Sequence, residues 1–69
     1  MYILDLKQIG KNIKAERVRR GYSQEIFAEM ADTTRHSISM IESGLQHPKL
    51  ISVLKIANAL NIDLNELLK

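Results

Sequence analysis

Between Thr34 and Ser43 the chain reads TRHSISMIES. At about 100° per residue of a helix, Thr34, Ile38 and Ile41 share a narrow arc, while Arg35, His36, Ser39 and Met40, with Ser43 among them, span the opposite side. The isoleucine side can only be core. The other side holds groups suited to base edges: Arg35 can grip guanine O6 and N7 with two hydrogen bonds, Met40 can meet a thymine methyl, and His36 and Ser39 can donate or accept. They gather toward the N-terminal half, the part of a helix that touches bases when it lies in a major groove. The polar side of an ordinary surface helix has the same composition, and composition alone favours that reading. Three features favour base contact: the segment is short, it follows another short segment across a tight turn, and it shows a Met where a solvating face would carry Lys or Glu.

Other chemistries find less support. His36 and His47, the only two histidines, stand eleven positions apart with no cysteine and no patterned carboxylates, so no metal site is expected. His36 beside Ser37 is not a nucleophile pair, because adjacent helical residues diverge by about 100° and no orienting acid accompanies them. Three scattered glycines make no phosphate-cradling loop. Neither enzyme activity nor a cofactor is expected. The absence of cysteine excludes disulfides and thiolate chemistry. With no long apolar run, and no signal-peptide pattern in MYILDLKQ, no membrane association is expected and the cytoplasm is the expected location. The formal charge is only +2, but Lys7, Lys11, Lys14, Arg17, Arg19 and Arg20 crowd one segment against Glu16 alone. Such a cluster either attracts phosphate or is a solvated helix face.

The elements that must position these groups are helical. Leu6, Ile9 and Ile13 recur at three- and four-residue steps, predicting a first helix over about 6–20 that closes at Gly21. Ser23 is placed to cap a second, short helix ending near Ala31, with Ile26, Phe27 and Met30 expected to face the core around Ala28. Thr33 or Thr34 caps the third helix, which Gly44 stops. After the loop LQHPK, Leu50, Val53, Leu54, Ile56, Ala57 and Leu60 form a broad apolar stripe, and Asp63 with Glu66 suggest a capping box opening a last helix of Leu64, Leu67 and Leu68. No strand pattern, repeat or long linker interrupts the 69 residues, which predicts one all-α domain over 1–69. A chain of this size buries only about 60% of its unfolded surface.

At this point the residues resemble a family. The strings IGKNIKAER, GYSQEIFAEMA, TTRHSISMIESG, HPKL, LKIANAL and DLNELL, in that order and spacing over Ile9 to Leu68, are similar to the phage repressor and Cro-type helix-turn-helix DNA-binding proteins. The resemblance implies a five-helix, lambda-repressor-like fold, with the helix-turn-helix at about 24–43. Gln24 to Ala31 would be the positioning helix and Arg35 to Glu42 the recognition helix, usually in a homodimer on a palindromic double-stranded DNA site. Arg35, His36 and Met40 then match base-reading positions, with Ser39 a lesser contact. Ser23, Gln24 and Thr34 match phosphate-contacting positions, and Ser43, Gln46 and Lys49 are further phosphate candidates. Arg17 and Glu42 match a structural ion pair, and Leu45, Leu64 and Leu68 are the candidates for a dimer interface. Tyr2 and Ile3 would pack on the core or on a second subunit.

The sequence departs from that pattern at three places. Asp32 holds the turn position usually given to Gly, where the backbone tends to be left-handed. Glu16 stands where an apolar residue is common, and Lys49 replaces the hydroxyl expected to cap the fourth helix. The implied function is a transcriptional regulator, most simply a repressor; phage repressors, restriction-modification controllers and antitoxins all use such a module. With no effector domain read after residue 69, control would come from concentration, genetic context or a regulatory protein partner. The alternative is a protein-interaction module that keeps the fold and binds another regulator in place of DNA.

Overall fold

In the computed structural model, which describes residues 5–69, the elements are α1 (Leu6–Arg19), α2 (Gln24–Met30), α3 (Arg35–Glu42), α4 (Leu50–Leu60) and α5 (Leu64–Leu67). Tyr2 and Ile3, expected to pack on the core or a partner, lie outside the described residues. Each helix start has a local cause. Asp5 accepts from the amides of Lys7 and Gln8 at 3.0 and 3.2 Å, Ser23 from Ile26, and Thr34 from Ser37, satisfying donors that the first helical turn leaves open. Lys49 opens α4 with no side-chain cap, as its chemistry implies. At α5 the capping box is only half made. Asp63 accepts from the Asn65 amide, but the Glu66 carboxylate pairs with Lys69 and does not return to the cap.

α1 packs against α3, α4 and α5, and α2 against α3 and α4. Phe27, Ile13, Ile38, Ile56, Leu60 and Leu67 are the largest fully buried side chains at the centre of this arrangement. Two expected core faces are narrower than the sequence pattern suggested. On α2, Ile26 and Met30 point outward, 53% and 43% exposed, while Phe27, Ala28 and Ala31 fill the interior. Seven residues make only two turns, so one ring and two small side chains occupy the whole inner face. On α4, Val53, Ile56, Ala57 and Leu60 are buried, whereas Leu50 and Leu54 are 68% and 44% exposed. Leu54 stands about 100° round the helix from Val53, and Leu50 lies in the first turn, beside an open groove. No helix among the described residues is long and apolar enough to cross a membrane.

The knot between α2 and α3 turns at Asp32, which has φ of 54°. That left-handed conformation suits Gly best and is tolerated by Asp; the Asp32 carboxylate accepts from Lys55 Nζ on α4 at 3.0 Å. Glu16 leaves the core unharmed because it sits on a polar flank of α1, where it pairs with Arg19 and, at 2.7 Å, with Arg20.

Candidate nucleic-acid interface

The site begins with what seats α3. Ile38 and Ile41 are buried, which turns the opposite side outward. Arg35 and His36 are exposed, and neither makes a side-chain hydrogen bond or ion pair among the described residues. Ser39 and Met40 are half-buried beside them. The four candidate base-reading residues therefore share one face of one helix.

The angle of that face is fixed from below. Arg17 on α1 grips Glu42 at the end of α3 through Nε to Oε2 at 2.7 Å and Nη2 to Oε1 at 3.1 Å. Its third nitrogen, Nη1, donates to the Tyr22 carbonyl at 2.7 Å, and Gln24 Nε2 donates to Glu42 Oε1 at 3.1 Å. Both charged residues are buried, so every polar contact in this network matters. The network ties α1, the loop before α2, α2 itself and α3 into one geometry, so Arg17 and Glu42 orient the face without being part of it.

Close approach does the rest. A Cβ at Gly10 would stand 2.5 Å from the Ile41 carbonyl oxygen and 2.7 Å from that of Glu42, so α1 and the end of α3 meet backbone to backbone. Gly44 has φ of 74° and lies against the Lys7 side chain, which ends α3 and seats it on the start of α1. Neither the Gly10 contact nor the Tyr22 carbonyl was read from sequence. A glycine in mid-helix was the available signal, since it costs about 1 kcal/mol relative to Ala and usually has a packing reason.

The candidate phosphate contacts divide by whether they have a donor to give. A hydroxyl has one donor and two acceptor positions, so Ser23 and Thr34, which accept as caps, each keep an O–H for a further acceptor. Gln24 spends one N–H on Glu42 and keeps the other. Ser43 Oγ donates to the Ser39 carbonyl at 2.8 Å and would have to surrender that bond to reach a phosphate. Lys49 is exposed and Gln46 half-buried in the loop after α3.

Leu64 and Leu68 are half-buried and line an apolar groove of about 220 Å³ with Leu6, Ile9, Leu50 and Val53, bordered by His47 and Pro48 of the loop after α3. Leu45 is 71% exposed, and Leu50, Ile51 and Leu54 add an uncovered apolar strip along α4, although the apolar stripe predicts burial for Leu50 and Leu54. Among the described residues no group of three or more His, Cys, Asp or Glu could hold a metal ion.

A helix-turn-helix family model matches residues 13–67. The chain is 37% identical, over 54 residues that make 78% of it and 82% of the relative, to YgzD of Bacillus subtilis (strain 168), described as an uncharacterized HTH-type transcriptional regulator. Among solved structures, the restriction-modification controller protein C.AhdI from Aeromonas hydrophila aligns with a TM-score of 0.89 at 33% identity, over 91% of this chain and 96% of that one. The N-terminal DNA-binding domain of SinR from Bacillus subtilis aligns with a TM-score of 0.85 at 33% identity, over 91% and 93% of the two chains. SinR, a master regulator for biofilm formation, has also been solved in complex with DNA.

Proposed function

The chain belongs to the helix-turn-helix family, and on that premise we propose that it is a sequence-specific DNA-binding transcriptional regulator, acting most simply as a repressor. One observation carries the reading: α3 turns an arginine and an imidazole outward, both unpaired among the described residues, beside a hydroxyl and a thioether, from a helix whose angle is set by a buried ion pair. Arg35, His36 and Met40 read base edges in the major groove, with Ser39 in a lesser role. Ser23, Thr34 and Gln24 spend their remaining donors on phosphates, joined by Lys49 and Gln46; these contacts fix register and carry no sequence information. Ser43 remains a phosphate candidate at the cost of its bond to Ser39.

The proposed assembly is a homodimer. Leu45, Leu64 and Leu68, with the exposed Leu50, Ile51 and Leu54, offer apolar area that a second copy would cover, and a two-fold pair would set two α3 helices about 34 Å apart in successive major grooves. The relatives include a restriction-modification controller and a biofilm regulator, so the regulatory circuit is a matter of genetic context. Selection of bound sequences from a random duplex pool tests the proposal. A palindromic consensus with half-sites one helical turn apart supports it, and recovery of no preferred sequence overturns it.

A further inference from the structure

Half of the chain's cations are committed to its own carboxylates. Arg17 is held by Glu42, Arg19 and Arg20 by Glu16, Lys55 by Asp32, and Lys69 by Glu66. Of the ten Lys and Arg residues, that leaves Lys7, Lys11, Lys14, Arg35 and Lys49 without a carboxylate partner among the described residues. Arg35 and Lys49 already stand at the proposed interface. The other three form a row of their own.

Lys7, Lys11 and Lys14 recur at i, i+4 and i+7 on α1, all exposed, within an arc of about 60°. No acid shares the arc, because Asp5 and Glu16 fall on the opposite side of the helix. Like charges at this spacing repel, so the row gives the free protein nothing and suits an anionic partner. Its place on α1 says which. One flank of the helix faces α5, where Asn12 Nδ2 donates to the Leu67 carbonyl at 3.0 Å. The other flank meets the end of α3, through Gly10 against Ile41 and Glu42, and through Lys7 against Gly44. The lysine row borders this second flank, so it continues the α3 surface from the point where the loop to Lys49 begins.

We propose that Lys7, Lys11 and Lys14 are a second line of contact to the DNA phosphate backbone, continuous with the α3 face and resting on the regulator reading above. The row spans about 10 Å along the α1 axis, long enough for the flexible lysine side chains to reach successive phosphates of one strand.

The test is the salt dependence of affinity for the selected duplex, comparing wild type with K7Q/K11Q/K14Q. All three positions are exposed, and circular dichroism confirms that the variant stays helical. At about 0.9 in log-log slope per neutralised phosphate, the triple variant should lose about 2 to 3 of slope, with its base preference unchanged; K7R/K11R/K14R should keep the wild-type slope. K55Q/K69Q, whose lysines are exposed and already paired, one on α4 and one just past α5, serves as the control for net charge. An unchanged slope in the triple glutamine variant, or a loss per charge equal to that of K55Q/K69Q, overturns the lysine line alone. Failure of the wild type to bind any duplex overturns the regulator reading beneath it.

Discussion

Arg17 and Glu42 show how a residue can govern a surface it does not belong to. Their side chains are 9% and 3% exposed, so their attraction is largely offset by lost hydration, and the pair's value lies in the single geometry it permits. Removing one partner is a different matter from removing both. Glu42→Ala leaves a buried guanidinium with only the Tyr22 carbonyl, which should cost about 3 to 5 kcal/mol. A domain of this size holds roughly 3 to 10 kcal/mol in total, so urea denaturation should find the variant close to unfolded. The double variant R17M/E42L should regain most of that stability, because neither charge is then orphaned. It should still discriminate its operator from other DNA less well than the wild type, since the Gly10 contact holds α3 close to α1 but does not replace the hydrogen bonds that Glu42 makes to Arg17 and Gln24.

At the scale of elements, the meeting of α1 with α3 is set by what Gly10 lacks. Gly10→Ala should improve helix propensity by about 1 kcal/mol in isolation. Here its Cβ would press on two backbone oxygens that cannot move without moving α3, so the expected net result is a loss of about 1 to 3 kcal/mol, measured by urea denaturation. A gain in stability would mean that the helices do not touch there. This contact also marks the limit of reading the chain as a string. The face of α3 was legible because Ile38 and Ile41 are its only isoleucines and the 100° period leaves one outward side. On α2 the period is ambiguous: Ile26, Phe27 and Met30 are all apolar and spread over more than one side, and Ala28 and Ala31, which mark the inner face, are too small to outweigh them in a hydrophobic pattern. The Arg17–Glu42 pairing rested on a resemblance, since its partners are 25 residues apart. The division of cations into committed and free ones needed the fold.

At the scale of the whole molecule, the proposed homodimer requires a second copy to cover the apolar surface of Leu45, Leu50, Ile51 and Leu54. Leu50 and Leu54 are exposed in the single chain, so lysines there cost the monomer little and oppose pairing directly. If the proposed dimer forms, the wild type should sediment as a dimer, whereas L50K/L54K should stay helical, sediment as a monomer, and bind one half-site about as well as the wild type while losing its advantage on the full palindrome. A variant that still sediments as a dimer would place the interface elsewhere. Affinity for the two half-sites together, divided by affinity for one, measures what the pairing contributes.

The most direct measurement of the central claim is the base-by-base preference of Arg35→Ala beside that of the wild type, obtained from the same random duplex pool. If α3 reads bases through this side chain, the variant loses about 1 to 3 kcal/mol and its preference flattens at one base pair in each half-site, while the remaining positions keep theirs. An equal loss on every sequence, with the whole preference profile intact, would show Arg35 to be a phosphate contact and would contradict the account of α3 as the helix that reads.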